Sequence, residues 1–441
     1  MSPTFRALRT FNYRVWAMGA IVSNVGTWMQ RVAQDWLVLT VLTDHSAVAV
    51  GITTGLQFAP MVLLAPFAGL LADRVSKRKL LIGTQAAMGL VGLVMGLLVV
   101  TGSAQLWQAY ALAFALGMAA AVDSPARQAF VSEMVAREDL SNAVGLNSAS
   151  FNAARIIGPG LAGLLIAWVG TGPVFLINAA TFLAVIGSLL RMRASELTPA
   201  DRAPRGKGQL REGVRYVRNR PDLILIMSIV CLVGTFGLNF QMTTAIMATG
   251  AFGKGAGEYG LLGSIMAIGS LAGALLAARR ERPRLRLVVG ATFAFGVFAS
   301  ISALMPTYEL FALSLIPVGL SALTLMTSAN ATMQLSVAPQ MRGRVMALYM
   351  AIFMGGTPIG APIIGWIGAT MGPRWTILFG GLVSLSTAVV AGVYVARKQE
   401  LRLSYSLTQT PRLQVRQSRA AREVARDRML ADQVADTRSA A

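Results

Sequence analysis

Twelve apolar stretches of bilayer-crossing length constrain this chain more than any other feature. They fall at residues 14–40, 46–71, 80–101, 106–127, 142–168, 173–191, 223–248, 258–278, 286–304, 309–334, 345–369 and 374–396. A helix needs about 20 apolar residues to cross the hydrocarbon core. Backbone in lipid must satisfy its own hydrogen bonds, which leaves helices or a closed barrel. The alternating segments of about ten residues that mark a membrane barrel are missing. The expected fold class is therefore an all-α membrane protein. Composition agrees: only 13% of residues are charged, about half the ~25% usual in soluble domains. An ordinary water-soluble enzyme is excluded on that ground, and a disordered chain by the high apolar content. The 44 glycines suit helices that approach closely in lipid. The first apolar run is too long for a cleaved signal and continues into a span, so it is expected to persist in the mature protein.

Of the 39 Lys and Arg residues, 35 lie on the two tails and the even-numbered connections. The opposite face carries Lys254 and Arg374, while Arg31 and Arg155 lie inside spans. This is the positive-inside pattern, so both termini are expected in the cytoplasm. The same distribution accounts for most of the +20 net charge without a nucleic-acid partner. Cys231 and His45 are the only residues of their kinds, so neither a disulfide framework nor a metal cluster is expected. GAFGKGAG (250–257) lacks phosphate-loop spacing, and no nucleophile–base constellation is visible. No cofactor and no enzymatic activity are therefore expected.

Residues 192–221 interrupt the apolar rhythm with a Pro/Gly-bearing linker, ending in a basic amphipathic segment, QLREGVRYVRNR, suited to an anionic lipid surface. The chain divides into an N-terminal six-span unit (1–191), this linker, a C-terminal six-span unit (222–396) and a basic polar tail (397–441), either a surface helix or largely disordered. The units read as copies. GLLADRVSKRKLL (69–81) answers GALLAARRERPRLRL (273–287) at an offset of about 204, and ARIIGPGLAGLLIAWVG (154–170) answers GGTPIGAPIIGWIGA (355–369) at about 202. A six-span repeat is typical of secondary transporters.

At GLLADRVSKRKLL the chain resembles the major facilitator superfamily, whose signature between spans 2 and 3 is matched by Gly69, Leu71, Ala72, Asp73, Arg74, Lys77 and Arg78, with Ser76 in place of a glycine. IGPGLAG (157–163) is similar to the span-5 motif of antiporter members through Gly158, Pro159, Gly160 and Gly163. NVGTWMQRVAQDWLVLTVLT, AVDSPARQAFV, LNSASFNAARIIGPGLAG and MRGRVMALY resemble the enterobactin-exporter and drug-efflux branch, the transmembrane secretion effectors. The resemblance covers residues 12–396. It implies two six-helix bundles and export of siderophores or amphiphilic drugs by proton antiport. It also implies a cytoplasmic gate in which Asp123 pairs with Arg74 and Asp73 meets the start of span 11 near Gly343–Val345. Lys77, Arg78 and Lys79 serve either that gate or topology alone. Ala277 and Ala278 replace the acidic residue in the second copy, so the gate is expected to be one-sided.

Ionisable residues at membrane depth cost a few kcal/mol and need a partner or a wet cavity. Arg31 and Asp35 share a helix face at i,i+4. They form either a proton-coupling pair or a static salt bridge, or Asp35 is an outer-edge carboxylate in water. Arg155 sits near mid-span with Asn147, Ser148 and Asn152 on its polar side. It either meets an anionic substrate group, holds Asp35, or only ties spans 1 and 5 together. Asp123 and Arg127 repeat the i,i+4 spacing near the end of span 4. The resemblance places spans 1, 7 and 10 around a central cavity, which makes Gln30, Asn239, Gln241, Asn330 and Gln334 candidate substrate contacts together with Asn152 and Arg155. Pro60, Pro66, Pro159, Pro317, Pro358 and Pro362 are either hinges or packing kinks. Trp28, Trp36, Trp107, Trp168, Trp366 and Trp375 read as interface belts. Expected partners are a small-molecule substrate, protons and the lipid bilayer, with the monomer as the default state. The alternatives are an importer or facilitator of a small metabolite, and a non-transporting membrane sensor or assembly partner.

Overall fold

The computed structural model describes residues 3–64, 75–198, 209–278, 285–398, 401–405 and 413–417. The first half contains α1 (Phe11–Trp36), α2 (Ala47–Leu63), α3 (Lys77–Val100), α4 (Leu106–Met134), α5 (Leu140–Val169) and α6 (Thr171–Arg191). A linker helix, α7 (Gln209–Arg218), leads to the second half. There α8 (Pro221–Leu232) and α9 (Phe240–Ile246) form one interrupted span. It is followed by α10 (Ala256–Ala278), α11 (Leu285–Ala303), α12 (Tyr308–Ser336), α13 (Pro339–Met371) and α14 (Trp375–Lys398). Ten helical segments among the described residues have the length and composition of membrane spans. The charged α1 and the shorter described part of α2 make twelve with them. Helices α4 and α13 run several residues past their apolar stretches at the end that carries the chain termini. In the tail, β1 (Leu401–Tyr405) and β2 (Leu413–Gln417) pair antiparallel, Leu401 opposite Gln417, where a helix or disorder was expected. Residues 418–441 lie outside the described residues.

Local chemistry sets the helix ends. Ser46 caps α2 by accepting from the Ala49 N–H at 3.2 Å, and Thr307 caps α12 by accepting from Leu310 at 3.4 Å. Pro221 and Pro339 occupy first helical positions, where a missing N–H costs nothing. Gly170 (φ 81°) and Gly372 (φ 99°) make the tight breaks after α5 and α13, a backbone region open to glycine and costly for other residues.

The repeat is visible in helix contacts. Within the first half α1 packs on α5 and α6, and α2 on α4; within the second, α8 and the turn that follows it pack on α13 and α14, and α10 on α12. Between halves, α2 packs on α13 and α10 on α5. Gly163 lies against the Ala256 carbonyl and Gly365 against the Ala47 carbonyl; Gly260 lies against that of Pro159 and Gly51 against that of Ala361. Each contact is thus made twice, with the halves exchanged. Both spans that open a half also end in matching π-helical turns, Leu37–Val41 and Met247–Ala251.

The core is distributed unevenly. One apolar cluster joins both halves at the end remote from the termini, through Val38, Val50, Ala162, Ala256, Leu262 and Ile364, and continues along the second half to Val217, Val337 and Val345. A separate cluster at the termini end, built on Tyr13, Trp16, Leu81, Phe130 and Leu189, belongs to the first half alone. Among the described residues, close inter-half packing is therefore concentrated at the remote end. The bundle's outer surface is apolar, with Leu164, Leu183 and Val390 exposed by two-thirds, as lipid-facing side chains are.

The linker helix is docked on protein. Gly213 faces Arg344 at the start of α13, Glu212 pairs with Arg344 at 2.6 Å, and Val217 is buried. Arg220 holds Asp222 with two hydrogen bonds (2.7 and 2.9 Å) and donates to the Ser336 carbonyl at 3.1 Å. The expected lipid-facing helix thus also braces the second half.

Candidate functional site

A cavity of about 420 Å³ lies between the halves, a volume suited to a drug-sized ligand. Its wall comes from α1, α2, α5, α9, α10, α12 and α13 and from the break around Asn239. The Val233–Gly237 π-helical turn and the non-helical Leu238–Asn239 open the span there. Asn239 donates to the Thr235 carbonyl at 2.7 Å, while its buried Oδ1 has no partner among the described residues. Such a break in a spanning helix is tolerated only where protein or a cavity surrounds it.

Of the residues singled out from sequence, Arg31, Asp35, Arg155, Pro159, Asn239 and Gln241 line this cavity. Asp35 is 5% exposed and accepts a hydrogen bond from Tyr259 Oη at 3.2 Å, so the first half's carboxylate is held by the second half. The Tyr259 hydroxyl also lies 3.2 Å from the Gln241 carbonyl, and its ring stacks on Trp36 with centroids 6.1 Å apart. Arg31 does not pair with Asp35 among the described ion pairs, so the static salt bridge is not formed. Its guanidinium lies over Trp28 at 4.9 Å and Phe58 at 5.8 Å. Arg155 has buried Nε and Nη2 atoms without an acceptor among the described residues. It therefore does not tie spans 1 and 5 by an ion pair. What joins α5 to α1 is Gly158, whose α-carbon faces the Trp28 side chain and the Val25 carbonyl. Three residues separate Gly158 from Arg155, which places both on one helix face.

Four expected cavity residues are elsewhere. Gln30 is buried inside the first half, where Asn178 donates to its Oε1; the intra-half packing of α1 on α6 turns it away from the cavity. Asn152 donates to the Ser148 carbonyl at 2.9 Å, and Gln334 donates to Asn330 at 2.5 Å; these polar groups are satisfied within their own helices. Trp28 and Trp36, expected at the interface, are cavity and inter-half residues instead. Trp107, Trp168 and Trp366 are well exposed, as a belt requires.

Gly69, Asp73, Arg74 and Pro66 lie outside the described residues. The rest of the expected gate is held within the first half. Asp123 accepts from Thr84 (2.8 Å), Gln85 (2.7 Å) and Arg127 (2.9 Å). Lys77 pairs with Glu133, and Arg78 donates to the Leu189 and Leu190 carbonyls at the end of α6. The glycine-proline segment Gly158, Pro159, Gly160 and Gly163 packs on both α1 and α10, with the Gly160 N–H donating to Ser264 Oγ at 3.1 Å.

Sequence reasoning missed Tyr259, Gln57 and Gln34. Gln57 lines the cavity and accepts from Gln34 Nε2 at 3.0 Å. The spacing of Thr53, Thr54 and Gln57 on span 2 was the available signal for a polar face. Tyr259, alone at the start of span 8, had none.

Two pseudo-symmetric six-helix bundles around a central cavity define a membrane transporter of the major facilitator type. The chain belongs to the transmembrane secretion effector family, whose sequence profile matches residues 2–430. It is 24% identical over 392 residues to the staphyloferrin A transporter of Staphylococcus aureus, covering 87% of this chain and 96% of that protein. Macrolide efflux protein A of Streptococcus pyogenes is 24% identical over 411 residues, covering 88% and 97%. The enterobactin exporter EntS of Citrobacter koseri is 29% identical over 344 residues, covering 75% and 80%. A bacterial homologue of the human lysosomal transporter Spinster, solved inward-facing and unoccupied, shares the fold with a TM-score of 0.66 at 15% identity, covering 90% of this chain and 96% of that one. A POT family transporter shares it with a TM-score of 0.70 at 11% identity, covering 87% and 96%.

Proposed function

We propose that the protein is a secondary exporter of small amphiphilic molecules, drugs or siderophore-like metabolites, driven by proton antiport. The observation that carries this reading is the buried Asp35 carboxylate in the wall of the cavity, held by Tyr259 of the other half. A carboxylate placed there links proton occupancy to the contact between the bundles. The bundles (1–191 and 222–396) rock about the cavity, the linker (192–221) joins them, and the basic tail (397–441) stays with the other basic segments in the cytoplasm. In that orientation the remote end faces outward, and the described arrangement is the inward-facing one. Lys77, Arg78, Asp123 and Arg127 are then waiting for the second half to close on the termini end.

The relatives that export siderophores or macrolides support the direction of transport. A susceptibility screen in bacteria stripped of their own pumps, with and without this chain, tests the reading. Protection against amphiphilic compounds, lost when the proton gradient is collapsed, is expected. Uptake into cells without an energy requirement is the signature of the importer or facilitator. Deleting residues 400–441 separates the non-transporting alternative: export survives the deletion, whereas a tail-centred sensor fails.

A further inference from the structure

The cavity contains more positive charge than its own wall neutralises. Its formally charged residues are Arg31, Arg155 and Asp35, an excess of one positive charge. The single carboxylate accepts a hydrogen bond from Tyr259 and forms no ion pair with either arginine among the described residues. Arg31 Nε and Arg155 Nε and Nη2 are buried donors lacking acceptors among the described residues. Buried donors are nearly always satisfied, and a desolvated, unpaired guanidinium is costlier still. Both arginines line one cavity, and their unmet donors point to an acceptor that reaches the guanidiniums from that cavity. The rest of the wall is aromatic and thioether-rich, with Trp28, Phe58, Phe240, Phe353, Met242 and Met326, a surface for an apolar body of adaptable shape.

Resting on the transporter reading above, we propose that the cavity takes an amphiphile with an anionic head. Arg155 and Arg31 engage a carboxylate, sulfonate or comparable oxyanion, and the aromatic wall holds the body. Planar guanidinium forks suit such oxyanions, which they bind by paired hydrogen bonds.

The test is a binding titration on the purified full chain in detergent, with three fluorescent probes: anilinonaphthalene sulfonate (anionic), phenylnaphthylamine (the same ring body, neutral) and ethidium (cationic). The proposal expects the sulfonate to bind at least tenfold more tightly than phenylnaphthylamine, and Arg155→Gln to remove most of that preference. Affinity for the neutral probe should hold within twofold, which also reports that the variant is folded. Arg155→Lys should retain part of the preference. Equal binding of the first two probes by the wild-type chain, or tighter binding of ethidium, overturns the proposal whatever the variants do. So does displacement of the sulfonate by phosphatidylglycerol added to the micelles at equal concentration, since the site is then a lipid site. Because binding is read without a gradient, failure here leaves the exporter reading standing. Conversely, anion-selective binding without energised efflux removes the exporter and keeps the site.

Discussion

Gly260→Ala probes the contact that closes the remote end. A Cβ at position 260 would lie 2.2 Å from the Pro159 carbonyl oxygen and 2.9 Å from Gly163. Both neighbours are backbone, so neither rotates away, and α10 must retreat from α5 by about 1 Å to restore ordinary contact. Overpacking of this kind costs about 1–3 kcal/mol. The helix-propensity gain of alanine, about 1 kcal/mol, acts in both conformations and cancels. The ratio of remote-end-closed to remote-end-open molecules should therefore fall by roughly 5- to 150-fold. Gly51→Ala, the symmetry mate, puts a Cβ 2.5 Å from the Ala361 oxygen and should act in the same direction. Gly160→Ala meets only Ser264 Oγ, at 3.0 Å, a side chain that can rotate, and should shift the ratio little. Spin labels at Ser103→Cys and Pro306→Cys, in turns at the remote end and in a Cys231→Ala background, report the separation of the halves as a distance distribution. A Gly260→Ala distribution that matches the parent, with Gly160→Ala equally silent, refutes the reasoning.

Two further outcomes follow from named contacts. Tyr259→Phe keeps the stacking on Trp36 and loses the hydrogen bond to Asp35. A bond to a charged group contributes about 1.5–3 kcal/mol, so the same spin-label pair should report an opening of the remote end by at least tenfold, and an unchanged distribution would remove Tyr259 from the closure. Glu133→Gln leaves Lys77, whose side chain is 14% exposed, without its partner, and the thermal midpoint of the purified protein should fall by several degrees. Adding Lys77→Met should recover most of that loss, because an apolar pair can replace a largely buried ion pair at little cost; a double variant as unstable as the single one would contradict the assignment.

What the sequence made legible was decided by range. Hydropathy and basic-residue asymmetry are local signals, and they located the helices to within a few residues except where α4 and α13 extend beyond the apolar core. The internal repeat survives as weak sequence matches, yet its contacts are regular enough that Gly163 and Gly365 perform the same task. Position along a helix is readable for Asp35 and Arg155, because a helix rises by a constant ~1.5 Å per residue. The facing direction is not. Gln30 and Arg31 are neighbours, but one is buried against Asn178 and the other lines the cavity. That difference is set by how α1 packs on α6, and nothing within α1 encodes it. Partners joined across more than a hundred residues, such as Tyr259 with Asp35 or Arg78 with the end of α6, likewise depend on the assembled bundle. The residues that couple the halves are therefore the ones local pattern reading reaches last.

The central claim, that proton traffic through Asp35 powers expulsion, is tested most directly by proton release from everted vesicles carrying the full chain, read with a pH-sensitive dye after a compound identified in the susceptibility screen is added. The wild-type chain should discharge the pre-formed gradient on addition. Asp35→Asn should leave it intact while still binding the compound in detergent. Discharge by Asp35→Asn at the wild-type rate would contradict the account.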